Sequence, residues 1–270
     1  MAKIESAFRD LSHLDALAAR DSIIARLDPR VKVLTAAVFV LCVVSFDKYV
    51  IAAMLPFALF LSLIMGLGGI PAHFILKKLV LVSPFALLLG MFNPFLDQQT
   101  LLYLGPIPIS GGWLSFLSIL LRFSLTVSAM VILIATTGFN GVCMAMEKMG
   151  MPKIFAVQLL LLYRYVFVLM DEGQRMYRAR ALRSFQGRGT DMKTFGHLIG
   201  GLLLRTLDRG QRIHLAMLCR GFDGTIRTRR APRLTTRDIL LFVLSCLILI
   251  TMRRYDCSLL LGQLLTGFAQ

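Results

Sequence analysis

Two stretches of this chain, Tyr49–Leu67 and Trp113–Thr137, are apolar over lengths that cross a lipid bilayer, and no other feature limits the fold as much. A spanning helix needs about 20 mainly apolar residues, with roughly 17–25 tolerated. Three shorter runs, Val33–Phe46, Leu79–Phe92 and Ile239–Met252, reach that length only with flanking residues. The last is followed by Arg253-Arg254-Tyr255-Asp256 and then by Ser258–Phe268. It reads either as one long interrupted helix or as a short span with an interfacial tail. Ile154–Met170 is a sixth apolar stretch, with Arg164 inside it. The expected architecture is an all-α integral membrane protein with about five membrane helices, or about six if Ile154–Met170 crosses.

Composition narrows the function classes. Hydrophobic residues make up 57% and charged residues 17%, against roughly 45–50% and about 25% in soluble domains. Disorder, a coiled coil and a secreted disulfide scaffold are excluded. A soluble enzyme is disfavoured, because the apolar excess would have nowhere to hide. The five cysteines, Cys42, Cys143, Cys219, Cys246 and Cys257, form no CxxC pair and read as small hydrophobes. The first thirty residues carry Arg9, Asp10, Asp15, Arg20, Asp21 and Arg26 and no apolar signal-peptide core, so residues 1–30 read as a cytoplasmic amphipathic segment.

The net charge of +15 is unevenly spread. Asn93–Gly112 holds Asp97 and no Lys or Arg, whereas Asp171–Arg237 holds 15 of the 30 basic residues and 5 acidic ones. Basic residues stay on the cytoplasmic side of membrane proteins. The N-terminus and Asp171–Arg237 are therefore expected inside and Asn93–Gly112 outside. Arg253 and Arg254 fit badly, because the last span would place them outside.

The basic block reads as two helices, Phe155–Leu182 and Thr194–Cys219, separated by Gly187-Arg188-Gly189. Asp171/Arg175 and Asp208/Arg212 have the i,i+4 spacing of helix-supporting pairs. The first helix is expected on the membrane surface, since Arg164 at the bilayer centre would cost about 2.5–3.5 kcal/mol. Gly196 and Gly200 have the spacing of a close helix crossing, although chance explains that spacing better. Thr225–Arg237, with Arg227, Arg229, Arg230 and Arg233, reads as a basic connection back to the membrane.

Nothing in the sequence points to catalysis or to a cofactor. His13, His73, His197 and His214 share no ligand spacing, and there is no HExxH, P-loop or GxSxG. No catalytic and no metal-ligating residue is assigned. Arg122, nine residues beyond Trp113 and so expected near mid-depth, is an intramembrane charge that calls for an internal partner, a contact with another subunit, or snorkelling to the interface. Two arginine motifs stand out. Arg183-Ser184 follows Arg178-Ala179-Arg180-Ala181-Leu182, and Arg220-Gly221 lies within Ala216-Met217-Leu218-Cys219-Arg220-Gly221-Phe222-Asp223-Gly224. An arginine at a helix C-terminus complements the dipole, and Gly221 suits a left-handed cap. The repetition of this ending on two helices of one basic block points further, to a device that docks in acidic grooves.

These residues resemble a known family. Leu27-Asp28-Pro29-Arg30-Val31-Lys32 is similar to the N-terminal signature of energy-coupling-factor (ECF) transporter T components. Tyr163-Arg164-Tyr165, Asp171-Glu172, Arg175-Met176, Arg183-Ser184 and the Ala216–Gly224 motif resemble the cobalt-type T component, the CbiQ family. The likeness covers about residues 25 to 250, with the last motif the most diagnostic.

The resemblance implies an L-shaped protein, with membrane helices in one arm and long cytoplasmic coupling helices in the other. The expected division is residues 1–30, membrane helices 31–138, a coupling region 139–237 and a C-terminal membrane helix 238–270. Arg183, Ser184, Arg220 and Gly221 would dock two subunits of an ATPase dimer, with Arg175, Arg180, Ala216 and Asp223 supporting them. In place of the family's alanine, Leu182 and Cys219 precede the two arginines. The other implied partners are the lipid bilayer, a substrate-binding (S) membrane subunit specific for cobalt and a small accessory membrane protein; nucleic acid is not among them. The location implied is a bacterial or archaeal plasma membrane. The rival readings are a membrane enzyme acting on lipid-linked phosphates and a nonspecific electrostatic anchor.

Overall fold

The computed structural model describes residues 17–18, 20, 22, 24–47, 51–93, 100–104, 107–183, 192–224 and 234–254, without the side chains of 89, 100–104 and 107–110. Ser184, Gly187-Arg188-Gly189, the tail arginines 227, 229, 230 and 233, Cys257 and the Ser258–Phe268 run lie outside the described residues, as do residues 1–16 of the N-terminal segment. The chain divides into two compact units, one within residues 1–145 and 232–270, the other within 146–231.

In the first unit, helix α1 (Pro29–Val44) starts where the sequence provides both a cap and a rigid first residue. Asp28 Oδ1 accepts from the Arg30 N–H at 2.9 Å, and Pro29 occupies the first turn, where its missing N–H is not needed. A 3₁₀ turn (Ala52–Met54) leads into α2 (Leu55–Gly68), which ends at Gly69 in the left-handed conformation. Helix α3 (Ala72–Gly90) is followed by a short antiparallel hairpin, β1 (Thr100–Leu104) with β2 (Ile107–Ser110). The hairpin is the one departure from an all-helical chain among the described residues, and it lies in the expected external connection. Helix α4 (Gly111–Lys148) follows, and α7 (Thr236–Arg254) closes the unit. The Thr235 N–H donates to Asp238 Oδ2 at 3.0 Å, a capping arrangement that starts α7.

Helix lengths correct two expectations. Among the described residues of the run Tyr49–Leu67, the α-helix starts at Leu55 after the 3₁₀ turn, so α2 is about 21 Å long, short of a hydrocarbon core of about 30 Å. The third run starts earlier than its apolar residues, at Ala72, and takes Lys77 and Lys78 into the helix. Among the described residues, the helices long and apolar enough to cross a membrane are α4 and α5 (Lys153–Arg183). Helix α5 qualifies by length and composition, with Arg164 inside the stretch that the sequence reading placed on the membrane surface.

The core of the first unit is aromatic. Phe39 of α1 stacks on Phe60 of α2 at 6.0 Å and meets Phe57 edge-on at 5.8 Å, while Phe46 meets Phe57 edge-on at 5.4 Å. Val43, Met54 and Leu249 of α7 are fully buried with them. The outside of the unit is equally apolar. Leu76, Val80, Leu81 and Phe85 on α3 and Leu240, Val243 and Leu247 on α7 are all more than half exposed. A water-facing surface this apolar would drive association, whereas lipid leaves it at no disadvantage.

Two polar clusters mark the ends of this bundle. At one end, the Lys32 ammonium is buried and donates to the carbonyls of Ala25 at 3.1 Å and Thr136 at 3.0 Å. Asp28 and Asp238 are buried there as well, and both carboxylates act on the Lys32 charge. At the other end, Arg253 donates to the Ser45 carbonyl at 2.9 Å and lies over the Phe46 ring at 4.3 Å, and Arg122 donates to the Asp47 carbonyl at 3.1 Å. Helices α1 and α7 thus run in the same direction and α4 runs against them. Arg253 fitted the charge pattern badly because it is engaged in structure: it caps the C-terminal end of α1, where the dipole favours a cation.

Helix α4 is broken at Gly138, whose φ of 70° and ψ of 157° are not helical. That region of backbone space is essentially restricted to glycine. A Cβ at this position would also stand 3.3 Å from the Cβ of Ala18. The break ends the apolar run at Thr137 and frees the Thr136 carbonyl that Lys32 takes up. Gly138→Ala is expected to destabilise the protein by about 1–3 kcal/mol, read as a lower melting temperature in detergent. An unchanged melting temperature would show that α4 tolerates the continuous helix.

Candidate functional site

The second unit is built on α5 and α6 (Met192–Cys219). They cross in an antiparallel sense, with contacts that step in opposite directions along the two chains. Glu172 pairs with Arg205, a Cβ on Gly173 would stand 3.7 Å from Leu202, and one on Gly201 would stand 3.4 Å from the Met176 methyl. The close approach therefore uses Gly173 and Gly201. Gly196 and Gly200 have open space around them, so their spacing is accidental. The two expected i,i+4 pairs, Asp171/Arg175 and Asp208/Arg212, are not among the ion pairs of the described residues; Glu172 pairs instead with Arg205, between helices.

Arg183 is the last described residue of α5 and is exposed. Arg220 follows the last residue of α6, exposed, and Gly221 then turns left-handed at φ 76°. The Phe222 N–H donates to the Met217 carbonyl at 3.0 Å and the Gly221 N–H to the Leu218 carbonyl at 2.9 Å. This paired 6→1 and 5→2 closure satisfies carbonyls that a helix end leaves open. It also fixes the direction in which Arg220 leaves the helix. Ala216 and Asp223 are exposed on either side of the turn. From the crossing, α5 runs on for about 15 Å and α6 for about 27 Å in the opposite sense, so the backbones of the two arginines are at most about 45 Å apart.

Arg175, Arg180 and Arg183 share one face of α5, and that face meets Thr194, His197 and Arg205 of α6 across a groove of about 640 Å³. Sequence reading named Arg175, Arg180 and Arg183 but missed the groove and its α6 wall. The signal was present in the spacing 172, 176, 180, 183 opposite 194, 198, 205, but it becomes legible only once the helices are known to cross.

Arg122 belongs to the first unit and does not join this site. Its guanidinium donates to the Asp47 carbonyl and to Ser118 Oγ at 3.4 Å, and its Nε is buried without a partner. It therefore lies at the loop that follows α1, where the sequence reading had put it near mid-depth. The reason is that α4 begins at Gly111 and overhangs that loop by about three turns. No group of three or more His, Cys, Asp or Glu able to hold a metal occurs among the described residues.

Residues 20–232 match the family profile CbiQ, described as cobalt transport protein. The chain is 27% identical over 248 residues to an uncharacterized protein of Methanocaldococcus jannaschii, covering 88% of this chain and 84% of that one. A second uncharacterized protein of that organism is 27% identical over 118 residues, 43% of this chain and 44% of its own. A Methanocorpusculum labreanum protein, named as a fused cobalt transport protein CbiMQ, is 32% identical over 90 residues, 33% of this chain and 15% of its own length. With its lipid-compatible bundle and a profile match over most of its length, the chain belongs to the CbiQ family of cobalt transport membrane proteins.

Proposed function

We propose that this chain is the transmembrane coupling component of an ECF-type ABC importer for cobalt, passing the movement of an ATPase dimer to a substrate-binding membrane subunit. The observation that carries this reading is the pair of exposed arginines at opposite ends of two crossed helices in one compact unit. ATP closes the dimer, the two docked helix ends move with it, and the stiff helices carry that movement to the substrate subunit. Exposed Leu162, Leu203, Leu204 and Leu218 offer that subunit an apolar seat, while Leu202 is occupied by the helix crossing. The fused name of the M. labreanum relative supports a second membrane protein as partner.

In this reading α5 lies on the cytoplasmic membrane surface, with exposed Arg164 turned to water. A structure of the assembled transporter with Arg164 facing lipid inside the bilayer would end that placement. The function itself is tested by affinity capture of the full chain from native membranes, followed by identification of the bound proteins. An ATP-binding protein and a second membrane protein are the expected companions. Capture of the intact chain without any ATP-binding protein would overturn the coupling role.

A further inference from the structure

The groove between α5 and α6 carries more positive charge than one docking arginine explains. Arg175, Arg180, Arg183, Arg205 and His197 line it, with Glu172 as the one carboxylate on its walls among the described residues. Arg205 is engaged by Glu172. Arg175, Arg180, Arg183 and His197 have no ion-pair partner among the described residues. Several guanidinium groups facing one concavity repel one another unless an anion joins them, and guanidinium is well matched to phosphate oxygens. The hydroxyl of Thr194 adds a further donor, and Met176, Ala179 and Leu198 make part of the lining apolar.

The position of the groove along α5 points to the ligand. Ile154–Met170 is apolar apart from Arg164, and the groove begins at Glu172, directly after that run. A helix at the bilayer surface keeps its apolar residues against the acyl chains and its charged ones among the headgroups, so the stretch from Glu172 onward is the part of α5 level with the headgroups. A ligand held here meets cations at one end and an apolar helix at the other, which describes an anionic amphiphile. Inorganic phosphate has the same oxygens but nothing to place along Ile154–Met170.

We infer that the α5–α6 groove binds the phosphate headgroup of an anionic phospholipid, with the acyl chains directed along the apolar half of α5. Basic pockets between helices on the cytoplasmic side are suited to such headgroups. The site overlaps the docking reading at Arg183 and at its supports Arg175 and Arg180, and adds His197, Thr194 and Arg205 of α6. Bound lipid would hold the helix pair at the membrane surface.

The test uses the full chain, delipidated in detergent, with lipid retention measured by native mass spectrometry. Phosphatidylglycerol, phosphatidylcholine and inorganic phosphate are the probes. The wild type is expected to retain phosphatidylglycerol in roughly tenfold preference to phosphatidylcholine, as two or three charge-assisted bonds allow, with millimolar phosphate leaving it in place. The groove variant Arg175→Gln/Arg180→Gln/His197→Gln should lose that preference. Arg209→Gln/Arg212→Gln/His214→Gln, exposed positions on α6 outside the groove lining, should keep it. If the triple groove variant loses its helical circular dichroism, Arg175→Gln alone should still reduce the preference by about threefold. Equal losses in the groove and control variants would reduce the effect to diffuse charge and overturn the site. Displacement by inorganic phosphate would assign a free anion, and complete displacement by the ATPase dimer would assign the groove to that protein; either overturns the lipid.

Discussion

Replacing Arg183 and Arg220 together by glutamate is expected to abolish ATP-driven cobalt uptake while leaving the protein in the membrane. Both side chains are exposed at helix ends and neither supports a core, so the folded chain should survive their loss. Docking should not. A guanidinium leaving a helix end next to a tight turn reaches into a groove and makes charge-assisted bonds with carboxylates there. Glutamate puts like charges into that desolvated contact, which costs several kcal/mol on the scale of interface charge reversals, about tenfold in affinity for each 1.4 kcal/mol. Each single change should weaken ATPase capture, and the double change should eliminate it. Neutralising Arg227, Arg229 and Arg230 should leave capture largely intact, since these residues read as a basic tail. The measurements are ATPase pull-down and uptake of radiolabelled cobalt. Loss of docking in the tail variant with retention in the double glutamate variant would favour an electrostatic anchor.

The second large effect is on stability. Lys32→Met removes an ammonium that serves carbonyls from two parts of the chain, Ala25 ahead of α1 and Thr136 at the break in α4. It also removes one of two cations acting on buried Asp28, the other being Arg30, whose Nε stands 4.0 Å from Asp28 Oδ1. Leaving the Ala25 and Thr136 carbonyls without their donor costs about 2–3 kcal/mol. The melting temperature in detergent should fall by roughly 5–10 °C. Asp28→Asn in the same background should cost less than it does in the wild type, because the two groups are coupled. A melting temperature unchanged by Lys32→Met would show that the ammonium is not what joins these segments.

This pair of clusters gives a physical reason for the Asp28-Pro29-Arg30-Val31-Lys32 run. Asp28 and Pro29 act locally, as a cap and a first-turn residue, and their roles are visible in the sequence. Lys32 acts on Thr136, more than a hundred residues away in the chain. Nothing in the spacing of the run indicates that partner. The same holds for Arg253, whose positive charge looked misplaced until its contacts with Ser45 and Phe46 were known.

The sequence by itself determined the lipid-compatible character of the chain, the helical class, the concentration of basic charge in one block and the two arginine endings. Those properties follow from local composition and from short-range spacing: apolar length, capping residues, and a glycine where the backbone turns left-handed. Only the tertiary structure decided that α2 is a short helix, that Arg122 serves a loop, that Gly173 and Gly201 make the crossing where Gly196 and Gly200 do not, and that cations on α5 and α6 share one groove. Each of those depends on which helix faces which and at what level. Apolar periodicity says that a face is covered without saying by what, so pairings between distant segments had to come from the packed helices.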